Sequence, residues 1–421
     1  MKKTDKILVN GIAYKKPEAP RVIICMDGIS QEYIERAMEK GVAPIFEKFK
    51  KERFYGIAES VIPSLTNPNN ISIATGVSPR EHGIVTSGLV FDRERGYEII
   101  SSQKHIKAEK ILQAFSDAGE GVASITAKDK LKNLLLIRNG INISAEEEHE
   151  FDNLEAEEII KKVRERGRSR KLLDKTDEKW MYSTRPSESA LDLGIELLFG
   201  TGPYIPKITY ISLTDYIPHR HAPGAKEANN YINCIDKRID ALDKMGCVIG
   251  LTADHGMGAK HNSLGEPNAV WLKDILEQNK IKDYNILLPI TDKYLGHHSC
   301  LGGCAWIYFK NNQDSINAHK IFEETRGIEE ILFNNEAAIK YDLPGELIGD
   351  IFLLADKNSV LGRTRKEHSN IPKYLRSHGG IYEQKVPFIL NKSLNREYWL
   401  KKENGLRNFN IFEYALNGVE E

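Results

Sequence analysis

The sequence has no long apolar run and almost no net charge. No window of its 421 residues approaches the roughly 18 consecutive apolar residues of a membrane-spanning helix. Asp5, Lys6 and Asn10 interrupt the N-terminal stretch MKKTDKILVNGIAY, so we expect no signal peptide. The 59 basic and 60 acidic residues leave a formal net charge of −1, which argues against a general nucleic-acid-binding surface. The sequence therefore predicts no membrane and no nucleic acid as partner.

Cysteine is also scarce. An odd number of dispersed thiols is typical of a reduced compartment rather than of a disulfide framework, so we expect a cytoplasmic protein. Cys300 and Cys304 stand four residues apart but have no second cysteine pair, which favours buried thiols over a metal site. The complete set is Cys25, Cys234, Cys247, Cys300 and Cys304.

Apolar runs of strand length alternate with amphipathic segments along much of the chain. Helical periodicity is clearest at 107–118 and at 225–245. This alternation predicts an α/β fold with a mainly parallel sheet flanked by helices. Four mostly apolar runs are expected to be strands that are covered on both faces: 21–26, 121–126, 207–213 and 247–252.

Residues 266–365 have a different pattern, in which short apolar runs are mixed with turns and polar segments. We interpret this stretch as an inserted smaller cap domain that covers the site. The core is then divided into a first segment, 1–265, and a second segment, 366–421, which completes the site. The charge-dense segment 145–170 is helical in character, and we interpret its charges as a solvated helix face.

Three aspartates directly follow predicted strands, and histidines accompany two of them. In open α/β sheets, ligands bind at the carboxyl ends of the strands, so these side chains are expected on one rim. Taken singly, each aspartate is an ordinary turn residue and each histidine an ordinary surface or core residue. Together, carboxylates and neutral imidazoles suit zinc and related divalent ions, with enough ligands for two of them. The set is Asp27, Asp215, His219, Asp254, His255 and His378.

Thr66 is the candidate nucleophile. It lies in the Pro- and Asn-rich stretch P-S-L-T-N-P-N-N, which predicts a tight turn into a helix after a strand at 57–62. The helix dipole is worth about 0.3–1 kcal/mol to an anion there, which is too little to ionise an alcohol. A bound metal ion is the stronger influence, since it lowers the pKa of bound water from about 15.7 to about 7. The alternative is that Thr66 only caps the helix.

Six motifs occur in order along the chain, and together they resemble a known family. They are D-G at Asp27, P-S-L-T-N-P-N-N around Thr66, T-A-K-D-K-L from Thr126, T-D-Y-I-P-H-R-H-A-P-G from Thr214, T-A-D-H-G-M from Thr252, and R-S-H-G-G from Arg376. This order resembles the phosphonoacetate hydrolases, which belong to the alkaline phosphatase superfamily. The likeness runs from about Val9 to Pro387.

The resemblance implies an alkaline phosphatase-like core, two zinc ions and hydrolysis of the C–P bond of phosphonoacetate to acetate and phosphate. It implies that Thr66 is both the nucleophile, forming a phospho-threonine, and a metal ligand. Lys128 and Lys130 match the lysines that hold the substrate carboxylate. Asp215, His219 and His378 match one zinc site. The other matches Asp27, Asp254, His255 and Thr66.

One loop departs from the family pattern. After His82-Gly83-Ile84 the family has G-N, whose asparagine reaches a phosphoryl oxygen, whereas here 85–88 reads V-T-S-G. Ser87 or Thr86 is the candidate replacement donor. This change keeps open a phosphodiesterase or phosphomonoesterase of the same superfamily. A non-enzymatic metal-binding protein is disfavoured because every ligand and the nucleophile are present. A small-molecule phosphonate is the expected partner, and the sequence allows a homodimer.

Overall fold

The computed structural model describes residues 5–100, 102–146, 180–199, 205–291, 300–368 and 371–420. Most of the segment 145–170 lies outside these residues. The strands are β1 Lys6–Val9, β2 Ile12–Lys15, β3 Arg21–Cys25, β4 Phe54–Glu59, β5 Leu89–Asp92, β6 Gly96–Ile99, β7 Val122–Thr126, β8 Ile141–Ser144, β9 Ile208–Ser212, β10 Val248–Thr252, β11 Gly258–Ala259, β12 Ala269–Trp271, β13 Tyr284–Leu287, β14 Cys304–Phe309, β15 Ile328–Phe333, β16 Ile351–Ala355, β17 Val360–Gly362, β18 Arg376–Ser377 and β19 Lys385–Leu390.

The helices are mostly short. None in the described part of the chain is long and apolar enough to cross a membrane. They are α1 Gln31–Glu39, α2 Pro44–Glu52, α3 Thr66–Thr75, α4 Pro79–His82, α5 Ile111–Asp117, α6 Asp129–Leu135, α7 Arg185–Leu198, α8 Tyr216–Arg220, α9 Lys226–Lys244, α10 Leu272–Gln278, α11 Asn312–Glu323, α12 Asn334–Lys340, α13 Arg396–Lys401 and α14 Ile411–Asn417.

A seven-stranded sheet in the order β4-β19-β10-β3-β9-β7-β8 forms the centre of the molecule. From β10 to β8 every neighbouring pair is parallel. β19 alone runs against the others, pairing antiparallel with both β10 and β4. The predicted fold, a mainly parallel sheet flanked by helices, is confirmed. The four mostly apolar runs each contain a strand of this sheet, and these four strands are buried throughout.

Apolar clusters cover both faces of the sheet. In β3, Val22 and Ile24 pack on one face with α1, α2, α7 and α9. Ile23 and Cys25 point to the other face and pack with α3, α5, α6 and α14. Because successive side chains of a strand point to opposite faces, a strand buried on both faces is apolar at most of its positions rather than at every second one. This pattern explains why the central strands were recognisable in the sequence.

The stretch predicted to be a cap, 266–365, contains its own sheet. β13, β14, β16 and β15 form a four-stranded antiparallel sheet, and β12 pairs in parallel with β17. One face of the four-stranded sheet packs on α10 and α11. The other face, which includes Trp306, packs against Leu65 and Val85 of the core. Leu65, the residue before Thr66, therefore packs between the core and this second sheet.

The strand predicted at 57–62 begins and ends three residues earlier, as β4 (Phe54–Glu59), and this prediction was wrong in its bounds. The physical reason is a side chain on α3. The Asn69 Oδ1 atom accepts a hydrogen bond from the Val61 backbone N at 2.7 Å, and its Nδ2 donates to the Val61 O at 3.3 Å. With both backbone groups of Val61 bound to Asn69, the chain leaves the sheet before that residue.

Candidate metal centre and active site

The ends of three adjacent strands bring the predicted aspartates together. Asp27 follows β3, Asp215 follows β9 and Asp254 follows β10, with β3 lying between the other two strands. All three carboxylates are buried. His219 is one helical turn after Asp215 on α8, and His255 directly follows Asp254. His378 arrives from the second core segment, immediately after β18. All six predicted ligands therefore lie at the same rim of the sheet.

Two groups of ligand atoms are close enough to hold a metal ion. Asp215, His219 and His378 form one group, and Asp27, Asp215 and His255 form the other, with the atoms of each lying within 4.8 Å of one another. The Asp215 Oδ2 atom is 3.0 Å from His219 Nε2 and 3.9 Å from His378 Nε2. The Asp27 Oδ1 atom is 3.3 Å from His255 Nε2. Asp215 thus belongs to both groups, whereas the resemblance assigns it to one site.

The three histidines are held in the same tautomer. Each Nδ1 lies 2.8–2.9 Å from a backbone carbonyl oxygen: that of Arg376 for His219, that of Gly256 for His255, and that of Ser64 for His378. Since a carbonyl only accepts, each Nδ1 must carry the hydrogen. In the neutral ring, the Nε2 lone pair then faces the carboxylates, as in metal-binding histidines.

The charge balance of the rim also indicates cations. Burial is the main cause that lowers the pKa of His378, and the neighbouring His255 and His219 rings act in the same direction, so the His378 ring is neutral at ordinary pH. The rings of His255 and His378 stack with centroids 3.6 Å apart. Burial, Asp215 and Asp254 together raise the pKa of Asp27. Buried carboxylates at this density are costly unless cations offset them, so the donor set fits divalent ions.

Asp254 lies at the site but outside both groups. Its Oδ1 accepts hydrogen bonds from the backbone N of Gly28 at 3.3 Å and of His255 at 3.0 Å. Its Oδ2 accepts one from the Asn70 side chain at 3.1 Å and lies 3.7 Å from His255 Nε2. Its role as a metal ligand stays a prediction.

Thr66 is the first residue of α3, as the turn-to-helix pattern predicts. The residue in the capping position is Leu65, and the Thr66 hydroxyl instead lies 3.3 Å from His255 Nε2. The capping alternative is therefore not what the geometry favours. The hydroxyl stands at the positive end of the helix dipole and beside a predicted ligand.

A pocket opens beside Thr66, and its wall includes Lys128 and Lys130. Lys128 precedes α6, and its Nζ lies 3.5 Å from Asp215 Oδ1. The Lys130 Nζ donates to the backbone O of Ser87 and, at 2.8 Å, to that of Thr291. The rest of the lining is formed by Asp27, Asn67, Ser87, Leu131, Leu213, Asp215, Ile290, Thr291 and His378.

The two candidate donors of the 85–88 loop differ in orientation. The Thr86 hydroxyl donates to the Leu89 backbone O at 2.6 Å and accepts from the Gly88 backbone N, so it is used inside the loop. Ser87 lines the pocket, and its Oγ lies 3.5 Å from the Asn67 backbone N. Of the two, Ser87 is the one placed to contact a substrate.

Asn70 contacts both Thr66 and Asp254, and we did not predict this position from the sequence. Its Nδ2 donates to the Thr66 backbone O at 3.0 Å and to the Asp254 carboxylate. Its Oδ1 accepts from the hydroxyls of Tyr210 and Ser212 at 2.7 and 3.0 Å. The run of asparagines after Thr66 was a signal for this role, because a buried amide at a helix start needs several partners.

A buried ion pair supports the histidines from behind. The Lys260 Nζ lies 3.0 Å from Glu383 Oε1, and each side chain is 1–2% exposed. The Glu383 backbone O accepts from the Gly256 backbone N at 2.7 Å, and its Oε2 accepts from the Gly380 backbone N at 3.2 Å. The residues after His255 and near His378 are thus joined through Glu383. No spacing in the sequence indicates this pair.

His82 supports the start of the 83–88 loop, and we expect it to make stability depend on pH. Its Nδ1 accepts from the Ile84 backbone N at 3.1 Å, and its Nε2 lies 2.8 Å from the Ser72 hydroxyl. Burial lowers the pKa of His82 to about 3, against about 6.5 in an unfolded chain. At a pH between these two pKa values, the unfolded chain binds a proton on this histidine and the folded protein does not. The stability that depends on neutral His82 is therefore complete above about pH 6.5 and decreases as the pH falls.

The free energy of unfolding should decrease by about 1.4 kcal/mol for each pH unit below 6.5, which amounts to roughly 2 kcal/mol at pH 5. We would measure urea unfolding of the wild type and of His82→Asn at pH 7 and at pH 5. The stability advantage of the wild type should shrink by this amount at the lower pH. An advantage that is equal at both pH values would contradict the prediction.

Comparisons with known proteins agree with this geometry. The family model described as type I phosphodiesterase / nucleotide pyrophosphatase matches residues 21–381. The chain therefore belongs to this family, within the alkaline phosphatase superfamily, and is a hydrolase.

The resemblance seen in the motifs is confirmed at full length. The structure matches that of phosphonoacetate hydrolase from Sinorhizobium meliloti 1021 in complex with phosphonoacetate, with a TM-score of 0.85 and 34% sequence identity, and 100% of each chain is covered. The same values hold for its complex with phosphonoformate.

More distant relatives share the fold or a local stretch. Murine ectonucleotide pyrophosphatase / phosphodiesterase 5 superposes with a TM-score of 0.62 at 14% identity over 96% of both chains, which shows the fold alone. An ectonucleotide pyrophosphatase/phosphodiesterase of Caenorhabditis elegans is 38% identical over 96 residues, which are 23% of this chain and only 12% of that protein. A second one from the same organism is 36% identical over 101 residues, or 11% of its length.

Proposed function

We propose that this protein hydrolyses the C–P bond of phosphonoacetate, giving acetate and phosphate, through a phospho-threonine formed on Thr66. The observation that carries the proposal is the pocket in which Lys128 and Lys130 stand beside Thr66. A substrate that carries both an anionic phosphonate and a carboxylate matches a pocket whose lining combines a nucleophilic hydroxyl with two ammonium groups. The full-length similarity to phosphonoacetate hydrolase supports the same assignment.

The metal ions of this proposal are two divalent ions, of which zinc fits the histidine-rich donor set best. Asp215, His219 and His378 would hold one ion, and Asp27, Asp254, His255 and Thr66 the other, with Asp215 near enough to contact both. Bound there, such ions would lower the pKa of the Thr66 hydroxyl and offset the negative charge of a phosphonate.

In the proposed mechanism, the deprotonated Thr66 Oγ1 attacks phosphorus in line with the C–P bond. As that bond breaks, its electron pair passes to the carbon next to the carboxylate. Lys128 and Lys130 hold this carboxylate and stabilise the enediolate-like charge as it develops. The carbon then takes a proton and leaves as acetate. Water hydrolyses the phospho-threonine, which releases phosphate and restores the hydroxyl.

The carboxylate is essential to this chemistry, because it accepts the electron density that a simple alkyl phosphonate would leave on carbon. Phosphonates without such an acceptor should therefore react poorly. Overall, one water is consumed for each phosphonoacetate, and no oxidant or reductant is required.

The second candidate is a phosphodiesterase or phosphomonoesterase with the same ions. The family assignment and the V-T-S-G loop favour it. An aryl or nucleoside group would be expected to stack on Phe, Tyr or Trp, yet none of the described residues that line the pocket is one of these. Phosphate release by the zinc-loaded protein from phosphonoacetate, from p-nitrophenyl phosphate and from its diester analogue distinguishes these functions. Efficient ester cleavage without turnover of phosphonoacetate would reject the C–P assignment.

Replacing Lys128 with alanine should separate the substrates further. We expect kcat/KM for phosphonoacetate to fall roughly 10- to 100-fold, because a hydrogen bond to a charged group contributes about 1.5–3 kcal/mol. Turnover of p-nitrophenyl phosphate, which has no carboxylate, should fall much less. Lys104→Ala is the control, since this lysine is 67% exposed and pairs with Glu98. An equal loss with both substrates would mean that Lys128 acts on the metal centre through Asp215 instead.

A further inference from the structure

The three asparagines at the start of α3 differ in how their side chains are satisfied. The Asn69 Nδ2 donates to the backbone O of Leu65 at 3.0 Å and more weakly to two others. Asn70 has partners for both its amide and its carbonyl. Asn67 is only 4% exposed, yet among the described residues its Nδ2 has no hydrogen-bond partner. Such an unsatisfied buried donor is rare and needs an explanation.

The position of Asn67 suggests the explanation. It directly follows Thr66, it is the second residue of α3, and it lines the same pocket as the nucleophile. Next to it, the 85–88 loop contributes the Ser87 hydroxyl but no side-chain amide, and Thr86 is engaged within the loop. Asn67 is therefore the one side-chain amide among the described residues that line this pocket.

We propose that Asn67 is a further substrate-binding residue, whose side-chain amide donates a hydrogen bond to a non-bridging oxygen of the phosphorus centre that Thr66 attacks. In this proposal, the two lysines bind the substrate carboxylate and Asn67 binds the phosphonate. This inference rests on the proposed function for the phosphonate itself. The same oxygen is present in a phosphate ester, so the role of Asn67 holds for either substrate class.

The structure makes an unusual prediction about stability that separates this role from a structural one. Removing a buried donor that has no partner leaves no hydrogen bond broken, so Asn67→Leu, similar in size and apolar, should unfold at the same temperature as the wild type or a higher one. A residue that maintained the helix start would instead lower the melting temperature when replaced. Asn67→Ser is the intermediate variant, because serine keeps a hydrogen-bond donor on a shorter side chain.

The experiment measures three quantities on the zinc-loaded wild type and both variants: melting temperature, kcat with phosphonoacetate and with p-nitrophenyl phosphate, and inorganic phosphate affinity by calorimetry. Loss of one preorganised donor to a developing anion costs about 10²- to 10³-fold in kcat. We expect this loss for Asn67→Leu with both substrates, a smaller loss for Asn67→Ser, weaker phosphate binding and no loss of stability.

Unchanged kcat and phosphate affinity in Asn67→Leu would overturn the proposal. A loss confined to phosphonoacetate would also overturn it, because the amide would then face the carboxylate. If the wild type cleaves only the ester, the C–P function fails while the ester rates still test Asn67. If the wild type cleaves neither substrate, phosphate affinity decides alone, and equal affinity in all three proteins rejects the role.

Discussion

Thr66→Ala is expected to lower the turnover of phosphonoacetate by a factor on the order of 10⁴ to 10⁶, the range seen when one residue of a catalytic triad is removed. The reason is that, in the proposed mechanism, the oxygen of the hydroxyl beside His255 attacks phosphorus, and alanine offers no replacement. Thr66→Ser keeps the hydroxyl with more rotational freedom, so it should retain much more activity than the alanine variant. Phosphate release under saturating substrate measures both.

Two further measurements on Thr66 separate its proposed roles. Acid quenching of the wild type during turnover, followed by peptide mass spectrometry, should find a phosphoryl group on the peptide that contains Thr66. Metal analysis of Thr66→Ala tests whether the hydroxyl also contributes to ion binding. If the alanine variant kept its ions and most of its turnover, water would be the attacking group and the phospho-threonine would be excluded.

Asp215→Asn is expected to weaken the binding of both metal ions. Asp215 is the residue shared by the two groups of ligand atoms, and one of its oxygens lies 3.0 Å from His219 Nε2. Substituting a residue outside the coordination shell already lowers metal affinity roughly 10- to 100-fold. Loss of a charged ligand that both sites share should therefore lower it by more than about 100-fold. Zinc titration with a competing chelator, together with the number of ions bound, measures this effect.

Asp236→Asn provides a matched control, because it also neutralises a buried aspartate. The Asp236 Oδ1 atom accepts hydrogen bonds from the backbone N of Ile45 and of Phe46, both at 3.0 Å, at the start of α2. This variant should lose stability while binding the same number of ions with unchanged affinity. If Asp215→Asn lost only one ion and bound the other normally, Asp215 would serve one site, as the sequence resemblance implied.

The parts of the molecule predicted from the sequence are those with a local and repetitive physical cause. β3, β7, β9 and β10 are covered on both faces, so each is a mostly apolar run. Asp27, Asp215 and Asp254 were recognisable because they follow those runs directly. The helix beginning at Thr66 was recognisable from its proline and asparagines.

Other features depend on single side-chain contacts, some of them between distant parts of the chain, and no repeating pattern in the sequence encodes them. The end of β4 is set by Asn69, which lies ten residues after the last residue of that strand. The Lys260–Glu383 pair joins two core segments that the cap stretch separates. The unsatisfied amide of Asn67 depends on which groups the folded chain places around it, and the sequence near Asn67 does not indicate them. Asn67 and Asn69 have the same side chain, and only their surroundings distinguish them.

The position of β19 in the sheet has a consequence for synthesis on the ribosome. β19 comes from residues 385–390 and lies between β4 and β10, which come from much earlier in the chain. Until it is made, β10 has an open edge and β4 has no partner in this sheet. His378 emerges only a few residues before β19. The last strand of the sheet and the last predicted metal ligand therefore arrive together, so a nascent chain that has not yet closed its sheet also lacks one of the side chains that the proposed metal centre needs. Exposed strand edges of this kind are what make incomplete chains prone to aggregation.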